Sequence, residues 1–169
     1  GGNSGDQNVV ASAIEWCWKT FQADIISLSL GGESDPNATT EGPTSNAVKQ
    51  AIANGVYVVA AAGNDGGPDD DGRVATPSNV PEVISVGALD VNGEIWDGSS
   101  FGYASDESSE LYQSPNKKPE VSAPGVAIVS TAFDDEYYSS TGTSDSTVFV
   151  SGILALILEA EPDLISPNE

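Results

Sequence analysis

The sequence predicts an α/β fold in which helices pack against a mainly parallel sheet. Over the first 62 residues the pattern alternates helix, strand, helix and strand. This spacing fits right-handed crossovers between parallel strands. The predicted strands are short and mostly apolar, and residues 56–62 are apolar throughout, which is typical of strands that are buried on both faces. Together these two observations favour a parallel sheet over an antiparallel one.

Each element follows from a local pattern in the chain. Apolar side chains recur at helical spacing over residues 7–22, and an apolar run over residues 24–30 ends at a glycine pair. They predict a helix followed by a strand. A second helix is predicted over residues 44–54, where Asn-Gly follows as a stop signal. Apolar runs predict further strands over residues 56–62, 82–89 and 126–131.

The last predicted helix, over residues 144–160, is apolar on nearly every side. A helix of this kind is expected in the centre of a domain, where each side meets another element. Residues 90–119 are rich in Ser, Gly, Asp and Glu, and they predict loops.

The charge of the chain is strongly one-sided, with 5 Lys and Arg against 26 Asp and Glu, a net charge of −21. Five cations are too few to neutralise a phosphate backbone or to bind an anionic membrane surface. The charge balance therefore excludes nucleic-acid and membrane partners. No apolar run approaches the ~18 residues of a membrane span. An acidic surface with few lysines predicts a high-salt organism, where screening removes self-repulsion. Solubility through charge alone is the alternative.

The residue inventory limits the available chemistry. Cys17 is the single cysteine, so no internal disulfide can form, and the chain has no histidine. The acidic run Asp69-Asp70-Asp71 could bind Ca²⁺ through its carboxylates, or could simply be a solvated loop. We therefore expect no metal or other cofactor to be required, with Ca²⁺ at most a structural ion.

Three segments place polar groups where α/β proteins build their sites, at strand ends and at a helix start. Residues 29–32 could pair with an extended peptide, or could only end a strand. Asn64 follows the next strand and could stabilise an oxyanion, or could only form a turn. Ser144 opens the apolar helix and could be a nucleophile, or only a helix cap.

In their order along the chain, these segments resemble the subtilisin-like serine proteases (subtilases). Residues 75–77 and 83–88 add to the resemblance, as does a family-specific run, Lys118-Pro119-Glu120-Val121-Ser122-Ala123-Pro124-Gly125. The resemblance implies a three-layer subtilisin-like fold, with residues 1–169 as the C-terminal portion of one peptidase domain. It also implies a cis peptide bond at Thr76-Pro77. The family's catalytic Asp and His belong to an N-terminal part that this sequence lacks.

The resemblance also implies site residues and a function. Ser144 corresponds to the nucleophile, and Asn64 with the Ser144 amide corresponds to the oxyanion hole. The edge that pairs with the substrate backbone corresponds to Ser29, Leu30 and Gly31. The wall of the pocket for the residue before the scissile bond corresponds to Ala61, Ala62 and Gly63. The implied protein is a secreted serine endopeptidase that acts on extended peptides or proteins.

The chain departs from the family pattern in two ways. Without histidine nothing in it can activate Ser144, so alone it should be inactive or nearly so. The base would come from the missing N-terminal half or from another copy of the chain. After Ser144 the family usually continues with small residues, then Pro and His; here Asp145 adds a negative charge that opposes a developing oxyanion.

These departures leave two alternatives open. One is a catalytically degenerate subtilase homologue that acts as a peptide-binding or structural module. The other is a sedolisin-like serine-carboxyl peptidase, since residues 142–147 also resemble the nucleophile turn of that family. Sedolisins use a Glu base and an Asp at the oxyanion position, and Asn64 favours the subtilases instead.

Overall fold

A computed structural model of the chain describes residues 6–32, 42–67, 73–102, 117–161 and 164. The acidic run 69–71, the candidate Ca²⁺ site, lies outside these ranges. The described elements, in chain order, are α1 (Gln7–Lys19), β1 (Ile25–Leu28), α2 (Pro43–Ala53), β2 (Tyr57–Ala61), β3 (Ile84–Leu89), β4 (Val121–Pro124), β5 (Ile128–Thr131), β6 (Tyr137–Ser140) and α3 (Thr143–Ala160).

The main sheet has four parallel strands in the order β1-β2-β3-β4. Its register pairs Ile26 with Val58 and Ala60 with Ser85. The strand predicted over residues 126–131 exists as β5, but it joins β6 in a separate antiparallel hairpin. The fourth parallel strand is β4, which the sequence did not predict, because it is short, lies at the sheet edge and ends at Pro124.

Helices cover both faces of this sheet. Side chains alternate along each strand, so Ile26 and Val58 join the buried core formed with α1 and α2, and Ile25 and Val59 face the opposite way. The second core cluster, around Val59, packs against α3. The result is a helix pair, a parallel sheet and a single helix, stacked in three layers.

The prediction that α3 is buried on every side is wrong within the described chain. Its buried residues are Thr143, Ser146 and Thr147, all near its start. Exposed apolar side chains follow along the rest of the helix, with Ile153 56% and Leu156 66% exposed. We call this surface the outer face of α3; its members are Val148, Phe149, Ile153, Leu156 and Ile157.

By length and composition α3 could cross a membrane, so the expectation that no segment could do so is also wrong. The core helix of a soluble protein passes the same test. In this helix Ser146 Oγ donates to Ala123 O at 2.9 Å, and Ser151 Oγ donates to Ser27 Oγ at 2.8 Å. These bonds to the sheet favour a domain helix.

The family-specific run 118–125 contains a buried ion pair that ties β4 to the loop before β3. Lys118 Nζ lies 2.6 Å from Glu120 Oε1 and donates to the carbonyls of Pro81 and Val83. Burial lowers the pKa of Lys118 and raises the pKa of Glu120, although each charge partly offsets the shift of the other. This ion pair gives the first residues of the run a structural role.

Cis peptide bonds occur at Thr76-Pro77 and Lys118-Pro119 in the described part of the chain. The first was implied by the family resemblance, and it is confirmed. The second was not predicted. Thr76 lies beside the site, since its backbone exchanges hydrogen bonds with Gly32 at 3.0 and 3.3 Å.

Candidate active site

A cleft of about 490 Å³ opens where β1 and β2 end and α3 begins. Parallel strands direct their carboxyl ends to one edge of a sheet, and this brings residues from distant parts of the chain together. The lining residues are Ser29, Leu30, Gly31, Gly32, Ala61, Gly63, Asn64, Asp65, Ala75, Thr143 and Ser144. Seven of the eight residues predicted from the sequence are among them, all but Ala62.

Ser144 is the second residue of α3 and is held beside the end of β1. Its carbonyl oxygen accepts a hydrogen bond from Ser29 Oγ at 3.1 Å, and its own hydroxyl donates to Ser29 O at 3.5 Å. The hydroxyl contact is long, so the Oγ atom is available for other chemistry. The Ser144 amide lies in the first helical turn, where the helix itself supplies no acceptor.

The side chain of Asn64 faces the start of the same helix. Its Oδ1 atom accepts from the Thr143 amide at 2.9 Å and from Thr143 Oγ1 at 3.0 Å. Both bonds use the carbonyl end of the carboxamide, so the Nδ2 amine is the end that can donate. The Asn64 side chain and Ser144 therefore lie at one helix start, as the sequence predicted.

Thr143 positions Asn64, a role that the sequence analysis did not assign. Its side chain is fully buried. Its hydroxyl accepts from the Gly63 amide at 3.1 Å and lies 3.2 Å from the Gly63 carbonyl oxygen. One threonine therefore connects the helix start to both Gly63 and Asn64 in the segment after β2. The Gly-Thr-Ser triplet was the available signal, but spacing alone does not show which atoms Thr143 contacts.

Two glycines allow these segments to approach each other closely. A Cβ atom on Gly142 would lie 3.2 Å from Asn64 Nδ2, so any side chain there would press on the carboxamide. Gly63 has a φ of +118°, a conformation that side-chain-bearing residues rarely adopt, and a Cβ atom there would lie 2.8 Å from Ser100 Oγ. Both positions therefore favour glycine.

The segment 29–32 forms one rim of the cleft. Leu30 is 42% exposed, and the backbone of Gly32 pairs with Thr76. A Cβ atom on Gly31 would lie 2.7 Å from the Cβ atom of Ala75, so this rim also packs closely on the loop after β2. Its backbone is thus held beside the cleft.

The opposite wall contains Ala61 and Gly63, whereas Ala62 does not line the cleft. Ala62 is fully buried; its amide donates to Val86 O at 2.9 Å, and its carbonyl accepts from Ala75 at 2.6 Å. The alternation of side chains along an extended segment accounts for this, because neighbours at the end of a strand face opposite sides. Four lining residues, Gly32, Asp65, Ala75 and Thr143, are not among the eight that the sequence predicts as site residues.

The cleft thus combines a serine hydroxyl, a carboxamide donor and a helix-start amide. Such donors can stabilise negative charge that develops on a carbonyl oxygen attacked by the hydroxyl. The chain contains no histidine to remove the hydroxyl proton. Among the described residues, no group of three or more His, Cys, Asp or Glu side chains could hold a metal ion.

Comparison with known proteins agrees with this geometry. The model of the subtilase family matches residues 1–169, the whole of the sequence. The chain belongs to the subtilase family. Subtilisin DY from Bacillus licheniformis is 38% identical over 161 residues, which cover 95% of this chain. Serine protease AprX from Bacillus subtilis is 34% identical over 188 aligned residues, covering 98% of this chain.

Solved structures of other subtilases have the same fold. Sphericase superposes with a TM-score of 0.80 at 32% identity, over 98% of this chain and 53% of its own. The self-cleaved protease domain of PatA gives a TM-score of 0.76 at 31% identity, over 94% of this chain and 53% of its own. The subtilisin-like α/β fold predicted from the sequence is confirmed.

This subtilase chain spans about half the length of several relatives that it matches. It covers 52% of Subtilisin DY, 41% of AprX and 53% of the sphericase chain. A further relative, the major intracellular serine protease of Bacillus subtilis, is 41% identical over 143 residues, covering 84% of this chain and 39% of its own. Two of these relatives are named as serine proteases, AprX and the major intracellular serine protease, and the second is named as an intracellular enzyme.

Proposed function

We propose that this subtilase chain is part of a serine endopeptidase in which Ser144 is the nucleophile. The single observation that carries the proposal is the hydrogen bonding of Asn64 to Thr143 at the start of α3. It presents the Nδ2 amide group of Asn64 in the same cleft as the Ser144 hydroxyl. Nucleophile and oxyanion donor must lie within about 3 Å of a shared reacting centre, which this arrangement favours.

In the proposed reaction an extended peptide pairs with residues 29–31, and Ala61 and Gly63 bound the pocket for the residue before the scissile bond. Ser144 Oγ attacks the peptide carbonyl while an external base accepts its proton. The Nδ2 amide group of Asn64 and the backbone amide of Ser144 then stabilise the oxyanion. The tetrahedral intermediate then collapses: the C–N bond of the substrate breaks, the protonated base gives its proton to the leaving amine of the substrate, and an acyl-enzyme remains. Water attacks the acyl-enzyme while the base accepts a proton from it, and the base returns that proton to Ser144 Oγ as the acid product leaves. No cofactor takes part in these steps, and Ca²⁺ would serve only as a structural ion.

The proposal is tested by labelling the intact protein with a fluorophosphonate, which modifies activated serines. We expect a single adduct on Ser144, located by mass spectrometry of the peptides. The Ser144→Ala variant should lose the label completely, because the other hydroxyl at the start of α3, that of Thr143, is fully buried and bonded to Gly63 and Asn64. Ser139→Ala is a matched control on an exposed serine of β6 and should be labelled normally.

Absence of the label from the folded, intact protein would instead support the degenerate homologue. The absence of the Pro and His that usually follow in the family is the observation that favours this second candidate. Such a module would still bind extended peptides along residues 29–31 without cleaving them. A sedolisin-like mechanism is disfavoured because residue 64 is Asn and not Asp.

We further propose that the portion of the domain not spanned by this chain covers the outer face of α3. Several large apolar side chains are exposed there, and β1 lies at the adjacent edge of the sheet. Burying one such side chain contributes about 1.5–3 kcal/mol. A second copy would bring another −21 charges against the first, so repulsion disfavours self-association at low salt. The same portion would supply the base for Ser144.

The strongly acidic composition supports a high-salt environment for this protein. We expect the free energy of unfolding to increase with salt, because screening reduces repulsion among side chains that total −21. Thermal melting in dilute buffer and in molar potassium chloride measures this directly. Equal melting temperatures in the two buffers would refute the high-salt proposal and favour charge as a means of solubility only.

A further inference from the structure

The end of β6 and the first turn of α3 are joined by a short side-chain hydrogen bond. Ser140 Oγ lies 2.5 Å from Asp145 Oδ1, and both residues are partly buried. A hydroxyl that donates to a carboxylate gives one of the stronger hydrogen bonds in proteins. We call this contact the Ser140–Asp145 bridge. It closes a loop that consists of residues 141–144 and therefore contains the nucleophile.

Other bonds hold the neighbours of Ser144 on both sides. Upstream, the Ala127 amide donates to Thr141 Oγ1 at 3.0 Å, and the Gly142 amide donates to Gly125 O at 2.8 Å. Downstream, Ser146 Oγ donates to Ala123 O. Between these anchors, Ser144 is joined to Ser29 by the two side-chain hydrogen bonds described above, of which the longer is 3.5 Å. The bridge is thus the side-chain anchor immediately after the nucleophile.

The bridge also determines where the negative charge of Asp145 lies. The sequence analysis expected this carboxylate to oppose an oxyanion. The cleft is lined by Thr143 and Ser144, whereas Asp145 and Ser140 are not among its lining residues. The carboxylate is therefore held on the side of the β5–β6 hairpin. In the first turn of α3 it also interacts favourably with the helix dipole.

We propose that Asp145 is a positioning residue, which acts through the Ser140–Asp145 bridge to orient Ser144 and to keep its own charge out of the oxyanion site. The inference rests on the proposed function of Ser144 as nucleophile. It assigns a role to a residue at which this chain departs from the usual subtilase pattern.

The test is a double-mutant cycle on the intact protein, with the fluorophosphonate as probe. Ser140→Ala and Asp145→Ala should each lower the maximum rate of Ser144 modification roughly tenfold, with the half-saturating probe concentration unchanged. The double variant should be no slower than either single one. Asp145→Asn should restore most of the rate, because its side-chain oxygen still accepts from Ser140.

Glu159→Gln is the matched control, since it removes the same charge from the same helix far from Ser144. Its rate should equal that of the wild type. If Asp145→Asn reacts as slowly as Asp145→Ala while Ser140→Ala reacts normally, the charge of Asp145 alone accounts for the rate. That result overturns the proposed role of the bridge. Rates that are equal in all variants overturn it as well.

A second measurement does not depend on reactivity. Hydrogen exchange of the peptide that contains residues 141–145 should accelerate roughly tenfold in Ser140→Ala and Asp145→Ala, but not in Asp145→Asn or Glu159→Gln. Unchanged exchange in the alanine variants contradicts the bridge even if the wild type is never labelled. Failure of labelling with accelerated exchange refutes the proposed function of Ser144 and retains the bridge as a structural contact.

Discussion

Replacing Asn64 with alanine is expected to lower the maximum rate of peptide hydrolysis by about 10²–10³-fold, the loss reported for removing one oxyanion-hole donor in a subtilisin. The physical reason is that the Nδ2 amine is the end of this carboxamide that can donate, because Oδ1 is already bonded to Thr143. The Ser144 hydroxyl is untouched, so the loss should fall on the rate and not on the Michaelis constant.

The Asn64→Asp variant separates the loss of the hydrogen-bond donor from any effect on folding. A carboxylate can still accept from the Thr143 amide and hydroxyl, so the melting temperature should stay close to that of the wild type. It cannot donate to an oxyanion, so the rate should fall at least as far as in the alanine variant. Asn92→Ala, in an exposed turn, is the control and should hydrolyse peptides normally. An Asn64→Asp variant with wild-type activity would contradict the assigned role.

Introducing charge on the outer face of α3 is expected to abolish Ser144 labelling in the intact protein. Ile153 and Leu156 are 56% and 66% exposed in this chain, so the double change Ile153→Asp and Leu156→Asp disturbs little that the chain itself buries. If the remaining portion of the domain packs there, two apolar contacts are lost and two charges are buried. The combined cost, upwards of about 5 kcal/mol, is comparable to the whole stability of a typical domain.

The control for this change is Val91→Asp, at an apolar position that is 79% exposed in the turn after β3. It adds a charge without touching the outer face, so labelling and melting should resemble those of the wild type. An Ile153→Asp and Leu156→Asp variant that melts and reacts normally would show that this face stays in solvent in the intact protein.

The order of the first elements could be predicted because each has a complete local signal. Helical spacing placed α1 over residues 7–22 and α2 over residues 44–54, and the structure has Gln7–Lys19 and Pro43–Ala53. The strands β2 and β3 are buried on both faces, and β1 is apolar at three of its four positions, so all three appear as apolar stretches. In contrast, β4 and β6 are short and partly or largely exposed, so no such run marks them.

The exposure of α3 could not be predicted, because an apolar composition does not show whether the described residues cover the helix. Its all-round apolar character is compatible with a central helix, but only the first turns and one side are covered here. Sequence periodicity indicates which side chains avoid water, and it does not indicate which polypeptide covers them.

Much of the candidate site could be predicted, because parallel topology by itself brings the ends of the strands to one edge of the sheet. This placed Ser29, Asn64 and Ser144 around one cleft. The sequence could not show that Thr143 bonds Asn64, or that Asp145 bonds Ser140, because those contacts depend on side-chain directions where the ends of different elements meet. A charge next to a nucleophile therefore looked harmful until its partner was known.

The most direct test of the account is the structure of the intact protein after reaction with a fluorophosphonate. We expect the adduct on Ser144 Oγ, with the phosphonyl oxygen 2.7–3.1 Å from both Asn64 Nδ2 and the Ser144 amide, the range for an occupied oxyanion hole. A phosphonyl oxygen directed away from Asn64, or an adduct on another residue, would contradict it.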